Sequence, residues 1–191
     1  TWEDGKRVTV RRDPTAERQQ ALDLLAPLNL TPDDDGQEHL TAWRWSLGLE
    51  DALDLVYALQ EHPDPRLVIE WPDGEPTSVS RGTTSQLKVQ LEQTRDWFGL
   101  RGEVVVDGQS VPLNTILDGL LQGDRYIALD GGRWLQLSRL LCDKLNALLD
   151  VAHPTRNGDV VVDPTAAPVV KELLDYAGDV KTCETWRDLE K

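Results

Sequence analysis

The sequence contains no methionine, only two cysteines and a single phenylalanine among its 191 residues. The cysteines, Cys142 and Cys183, are far apart and have no Cys-x-x-Cys spacing, so they predict neither a zinc knuckle nor a disulfide framework and favour a reducing compartment. No apolar run reaches the roughly 18 residues of a membrane-spanning helix, and no basic and apolar signal sequence opens the chain. These absences predict a soluble, cytoplasmic protein that makes no contact with a membrane.

The motifs of nucleotide binding and nucleophilic catalysis are missing as well. There is no G-x-x-x-x-G-K-[ST] loop, and no G-x-G-x-x-G follows a predicted strand, so the sequence has neither of these phosphate-binding loops. The G-x-S-x-G turn that presents a nucleophilic serine is also absent. We therefore expect no catalytic residue and no cofactor site in this chain.

Metal binding is not predicted either. The three histidines, His39, His62 and His153, are isolated from one another and from paired carboxylates. The acidic run 33–35 precedes Gly36, which invites comparison with a calcium loop. In that register, however, the first and twelfth ligand positions fall on Thr31 and Ala42, and alanine has no side-chain oxygen. This run is interpreted as a solvated acidic loop.

One cysteine falls on the apolar face of a predicted helix. Cys142 is grouped there with Leu141, Leu145 and Leu149. Burial raises the pKa of a thiol and makes it unreactive, so we expect Cys142 to pack in the core.

Negative charge is concentrated in one part of the chain, within a total net charge of −14. Residues 31–75 contain twelve Asp and Glu against two Arg, a local net charge of −10. Such a surface repels DNA, because affinity for nucleic acid comes largely from Lys and Arg that neutralise phosphates. Any weak DNA contact is expected at four basic residues in the middle of the chain: Arg81, Lys88, Arg95 and Arg101.

Tryptophan is abundant and accounts for seven of the eleven aromatic residues. Trp71, Trp97 and Trp134 lie in or beside predicted strands and are expected in the core or at its margin. Two others, two positions apart in a polar segment, are better interface candidates, since Trp is enriched at protein contacts. The candidate protein-interaction residues are this pair and the aspartates of the acidic loop: Trp43, Trp45, Asp33, Asp34 and Asp35.

Hydrophobic periodicity predicts helices and strands along most of the chain. Spacings of three and four predict helices over 14–26, 49–60, 113–121 and 141–152, and a fifth that begins at Asp163-Pro164. Alternation predicts strands over 67–71, 87–92 and 102–107, and a β-hairpin over 126–137; 159–162 is either a strand or a connector. This pattern indicates an α+β fold, with amphipathic helices packed on a mostly antiparallel sheet and a small helical N-terminal segment.

The best domain boundary is the acidic loop. We expect a helical N-terminal segment and acidic loop over 1–45, followed by one α+β domain over 46–191. Because the chain opens on Thr-Trp and stops in a charged run, we also expect it to be a fragment of a longer protein.

The segment DWFGLRGEVVVDGQSVPLNTILDGLLQGDRYIALDGGRWLQLS, residues 96–138, followed by an amphipathic helix, resembles the region that precedes the motor in bacterial Swi/Snf-family ATPases. These are helicase-like, DNA-dependent ATPases. The structural motif is marked by Asp96, Trp97, Phe98 and Trp134. Weaker similarity in RLVIEWPDGEP and QLKVQLEQ upstream, and in DPTAAPVVKELLDYAG and TWRDLEK downstream, extends it to about residues 46–191.

The resemblance implies a non-catalytic accessory domain that modulates an ATPase motor or its partners. ATP and Mg²⁺ would belong to the motor of the parent chain, since the motor motifs are absent from this sequence. The resemblance implies the motor domains of the same chain as partners, leaves room for other proteins, and implies DNA contact only indirectly through the motor. The alternatives are a stand-alone protein-interaction module with an acidic, Trp-bearing surface and, third, a catalytic domain of unknown chemistry.

Overall fold

A computed structural model describes residues 2–3, 6–7, 13–28, 46–71, 76–154 and 160–189. The chain divides into two compact units, Thr1–Asp64 and Pro65–Lys191. The division falls after the helix at 49–61, whereas the sequence predicted a boundary at 45, before that helix. The acidic loop residues and both interface tryptophans, Trp43 and Trp45, lie outside the described residues.

The described residues form six α-helices and eleven strands. The helices are α1 (Pro14–Leu25), α2 (Leu49–Glu61), α3 (Leu113–Gln122), α4 (Arg139–Leu149), α5 (Ala167–Leu174) and α6 (Glu184–Leu189). The strands are β1 (Trp2–Glu3), β2 (Lys6–Arg7), β3 (Ser78–Gly82), β4 (Leu87–Thr94), β5 (Trp97–Val106), β6 (Gln109–Pro112), β7 (Tyr126–Ala128), β8 (Arg133–Leu137), β9 (Ala152–Pro154), β10 (Val160–Val162) and β11 (Asp179–Lys181).

The first unit contains an antiparallel pair, β1 with β2, and two helices. The side chain of Asp13 caps α1 by accepting hydrogen bonds from the backbone N–H groups of Thr15 and Ala16, both at 3.1 Å. Pro14 occupies the first turn, where its missing N–H costs nothing. Both predicted helices of this unit are confirmed, and Leu53 of α2 is buried.

A six-stranded sheet forms the centre of the second unit. Five strands follow the order β11-β4-β5-β10-β9, and the sixth, β6, pairs with β5. The long strand β5 pairs with β4 along one edge. Its other edge pairs with β10 near its start and with β6 near its end. All of these pairings are antiparallel except that of β11 with β4, which is parallel. The α+β prediction with mostly antiparallel strands is confirmed.

The hairpin between β5 and β6 turns at the end of the strand that the sequence predicted over 102–107. Asp107 and Gly108 have φ of 49° and 77°. Two successive positive φ values are typical of a type I′ turn, whose twist matches that of antiparallel strands. The tight connection holds β6 directly against the end of β5.

A smaller sheet has the order β3-β8-β7, with β3 parallel and β7 antiparallel to β8. The predicted hairpin around the Asp-Gly-Gly turn is confirmed as β7 and β8. Strand β3 was not predicted. Its Gly82 lies against Leu135 of β8 and Val104 of β5, where a Cβ would meet Leu135 Cδ1 at 2.9 Å.

Four helices contribute apolar side chains to the core of this unit. Helix α3 contacts β5, and α6 contacts β4. The predicted stripe on α3 holds for Leu113, Ile116 and Leu117, but Leu121 is exposed because it lies at the end of the helix, beside the left-handed cap at Gly123. None of the described helices has the length and apolarity to cross a bilayer.

The predicted strand at 67–71 is wrong. Residues 67–71 belong to no helix or strand and form an irregular segment near the start of the second unit, which begins at Pro65. High β-propensity reflects how well side chains fit beside neighbouring strands, so propensity alone does not form a strand.

Candidate functional site

The outer face of the six-stranded sheet carries the most polar cluster that the structure brings together. Strand β4 alternates strictly, with Leu87, Val89 and Leu91 buried and Lys88 and Gln90 exposed, as the sequence predicted. The exposed set faces away from the core because successive side chains on a strand point to opposite sides.

Two of the four predicted basic residues share this face. Lys88 and Arg101 line a groove of about 270 Å³ across strands β11, β4 and β5. Arg81 lies on β3 of the smaller sheet, and Arg95 lies in the turn between β4 and β5, with a left-handed φ of 52°. The four therefore do not form one patch within a single sheet face.

The groove also contains charged residues that the sequence analysis missed. Lys181 of β11 is aligned with Gln90 and Arg101 across the strands. In the next row Asp179, Lys88 and Glu103 lie side by side with alternating sign. No short-range pattern could have placed Lys181 here, since β11 joins the sheet through a parallel pairing from the end of the chain.

Glu103 is held ionised in this groove. Its carboxylate accepts hydrogen bonds from the hydroxyl of Ser110 and from Lys88 Nζ, the latter at 3.2 Å. The Ser110 hydrogen bond, followed by that of Lys88, lowers the pKa of Glu103. Glu103 and Asp179 offset much of the positive charge, so the groove is close to electrically balanced.

The motif residues Trp97 and Phe98 point to opposite sides of β5. Phe98 is 2% exposed and belongs to the core, whereas Trp97 is 37% exposed and contacts the ring of His153 edge-on at 5.4 Å. The sequence predicted that Trp97 lies in the core or at its margin, but the structure leaves more than a third of this side chain exposed. The register of β5 places its even-numbered residues on the core side, and adjacent residues cannot share a side.

The other motif residues do not line the groove. Asp96 is exposed in the turn before β5, and Trp134 is half-buried on β8, aligned with Val79 on one side and Ala128 on the other. Trp71, expected at least at the margin of the core, is 39% exposed in the irregular segment.

Cys142 lies half-buried on α4 and packs against the core, as predicted. Burial is the main cause that raises the pKa of its thiol. A protonated, enclosed thiol is a poor nucleophile, so Cys142 fits a packing role.

Among the described residues, no group of three or more His, Cys, Asp or Glu side chains is placed to hold a metal ion. His153 contacts Trp97, and His62 directly follows α2. His39 lies outside the described residues.

A cluster of exposed apolar side chains lies in the segment that was predicted to be a strand. In the irregular segment 67–71, Val68, Ile69 and Trp71 are all exposed. The sequence signal for this exposed segment was its run of apolar residues, which was instead taken as evidence for a strand.

Comparison of the chain with protein-family models, with curated proteins and with solved structures finds no match.

Proposed function

We propose that this chain is a non-catalytic accessory domain of a bacterial Swi/Snf-type DNA-dependent ATPase and that it modulates the motor of the same parent protein in the cytoplasm. The observation that carries the proposal is the way in which residues 96–138 fold. They fold as one continuous piece, β5-β6-α3-β7-β8, whose apolar residues supply much of the core of the second unit. The segment that bears the resemblance is therefore a scaffold, as an accessory domain requires.

In this proposal, electrostatic attraction brings the domain to the motor. A motor that moves on DNA needs basic surfaces to contact phosphates, and a chain with a net charge of −14 is attracted to such surfaces. An acidic domain bound there competes with DNA and slows DNA-independent ATP turnover. Salt screens this attraction, so the effect decreases as ionic strength rises.

In this proposal ATP and Mg²⁺ are bound by the motor, and DNA reaches the domain only indirectly. The near-balanced groove at Lys88 and Arg101 supports at most a weak, salt-sensitive DNA contact. Calorimetry with the isolated chain should detect no saturable ATP binding. Micromolar ATP binding would instead favour a catalytic domain.

The decisive experiment compares the full-length parent with a motor from which residues 1–191 have been deleted. ATP turnover is measured without DNA at low and at moderate salt, and the DNA-stimulated rate serves as the control that the shortened motor is active. We expect the deletion to raise basal turnover, most strongly at low salt. Equal basal rates would contradict modulation by this domain.

A stand-alone protein-interaction module is the second candidate, favoured by the exposed apolar residues Val68 and Ile69. The two candidates differ in what the coding sequence contains downstream of Lys191. A G-x-x-x-x-G-K-[ST] loop there supports the motor-linked domain, and its absence supports the independent module.

A further inference from the structure

The irregular segment 67–71 exposes apolar side chains in a way that other described parts of the chain do not. Val68 is 81% exposed, Ile69 51% and Trp71 39%, all within four consecutive positions. Elsewhere in the described part of the chain, no four consecutive positions contain three exposed large apolar residues; Leu47 and Leu49, beside the start of α2, come nearest with two. Scattered single residues need no explanation, whereas clustered ones mark contact sites.

The residue types in this segment suit one kind of contact. Valine, isoleucine and tryptophan favour the extended backbone of a strand beside another strand. Within the described part of the chain, residues 67–71 belong to neither sheet of the second unit. A strand-forming segment with exposed apolar side chains is suited to add to the open sheet edge of another molecule.

The negative charge around the segment determines which kind of protein can bind it. Residues 61–75 carry five acidic residues and one arginine, and the whole chain has a net charge of −14. A second copy of this chain would bring like charges together, which opposes association. The complementary partner is a protein with an exposed strand edge flanked by Lys and Arg.

We infer that the segment 67–71 is a docking strand that adds to a basic sheet edge of the ATPase motor, with Val68 and Ile69 as its apolar anchors. The identity of the partner rests on the proposed function, and the docking mode rests on the exposure, residue types and charge of the segment. Leu67 is half-buried, whereas residues 68–71 are exposed and accessible to a partner.

The first test measures binding of the 191-residue chain to the purified motor of its parent. The double variant Val68→Ser/Ile69→Ser removes both anchors, and Leu121→Ser, at an exposed leucine on α3, is the matched control. Both aliphatic side chains would leave water when the strand docks, so we expect the double variant to weaken binding by at least about tenfold and the control to leave it unchanged. Thermal melts verify that all variants fold.

The second test follows amide hydrogen exchange in the same complex. If 67–71 pairs as a strand, adding the motor slows exchange at these residues, and higher salt reverses the protection. Motor binding that is unaffected by the double variant, or that leaves exchange at 67–71 unchanged, overturns the docking strand but not the accessory function. Absence of motor binding overturns both. A homodimer that Val68→Ser/Ile69→Ser dissociates would show that the occupant is a second copy and overturn the charge argument.

Discussion

The ring of Phe98 on β5 meets the ring of Trp186 on α6 edge-on, with centroids 5.2 Å apart and planes at 87°. This geometry brings the positive edge of one ring to the negative face of the other, which is the preferred arrangement of aromatic pairs. The contact joins the central strand to the helix at the end of the described chain. It therefore ties together parts of the second unit that are far apart in sequence.

Replacing Trp186 by alanine should destabilise the protein strongly. The side chain is 1% exposed, and removing a buried Trp typically costs about 3–5 kcal/mol. Trp97→Ala is the matched control and should cost no more than about half as much, because that ring is partly exposed. Urea denaturation followed by circular dichroism measures the unfolding free energy of both variants. Equal losses would contradict the placement of Trp186 in the core and of Trp97 at the surface.

Trp186→Phe should be much milder than Trp186→Ala. The indole Nε1–H of Trp186 is buried and has no hydrogen-bond acceptor among the described residues. An unsatisfied buried donor costs about 1–3 kcal/mol, so removing it offsets part of the smaller ring's lost packing. We expect at most about half of the alanine cost in the same denaturation experiment. A cost as large as that of alanine would show that Nε1 has a partner.

Gly178→Ala should disrupt the pairing of β11 with β4. A Cβ at this position would lie 1.8 Å from the carbonyl oxygen of Ser85, and the Gly178 N–H donates to the Leu87 carbonyl at 2.9 Å. Because backbone must move, we expect a loss of about 3 kcal/mol or more in unfolding free energy. Gly108→Ala is the control: its Cβ meets nothing within 4 Å, so only the positive φ opposes it, at about 1–2 kcal/mol. The reverse order of these two costs would contradict the close approach at Gly178.

Acid should weaken the second unit partly through Glu103. Its pKa is lowered in the folded protein, so its stabilisation is present at neutral pH and is lost as the pH falls through that lowered value. Glu103→Gln should therefore reduce the acid dependence of the unfolding free energy. Ser110→Ala should act in the same direction, because the Ser110 hydrogen bond is the largest cause of the shift. Denaturation curves at neutral and acidic pH measure the difference, and full acid dependence in Glu103→Gln would contradict this role.

Local sequence patterns predicted most of the helices and strands because side-chain periodicity, turns and helix caps each depend on only a few neighbouring residues. The alternation of Leu87, Val89 and Leu91 predicted a half-buried strand, and the dipeptide Asp107-Gly108 forms the tight turn between β5 and β6. Ser138 is the N-cap of α4, and its hydroxyl accepts a hydrogen bond from the Leu141 N–H at 3.4 Å. Each of these features depends on backbone geometry or side-chain periodicity that a short stretch contains.

The candidate groove could not be predicted in the same way. The sequence identified Lys88 and Arg101 as candidates but did not identify Lys181 and Asp179. These two residues reach the groove only through the parallel pairing of β11 with β4. Trp186 was likewise placed in the core by α6, a short helix without a clear apolar stripe.

The sequence by itself determined the α+β class, the amphipathic helices, the tight turns and the alternation of β4, since these follow from local periodicity and backbone preference. Tertiary structure decided that Phe98 faces the core while Trp97 faces outward, because the register of β5 against its neighbours selects the side. It also decided that 67–71 forms no strand in this chain. Whether a segment with strand propensity pairs depends on a free sheet edge, which is a property of the assembled fold.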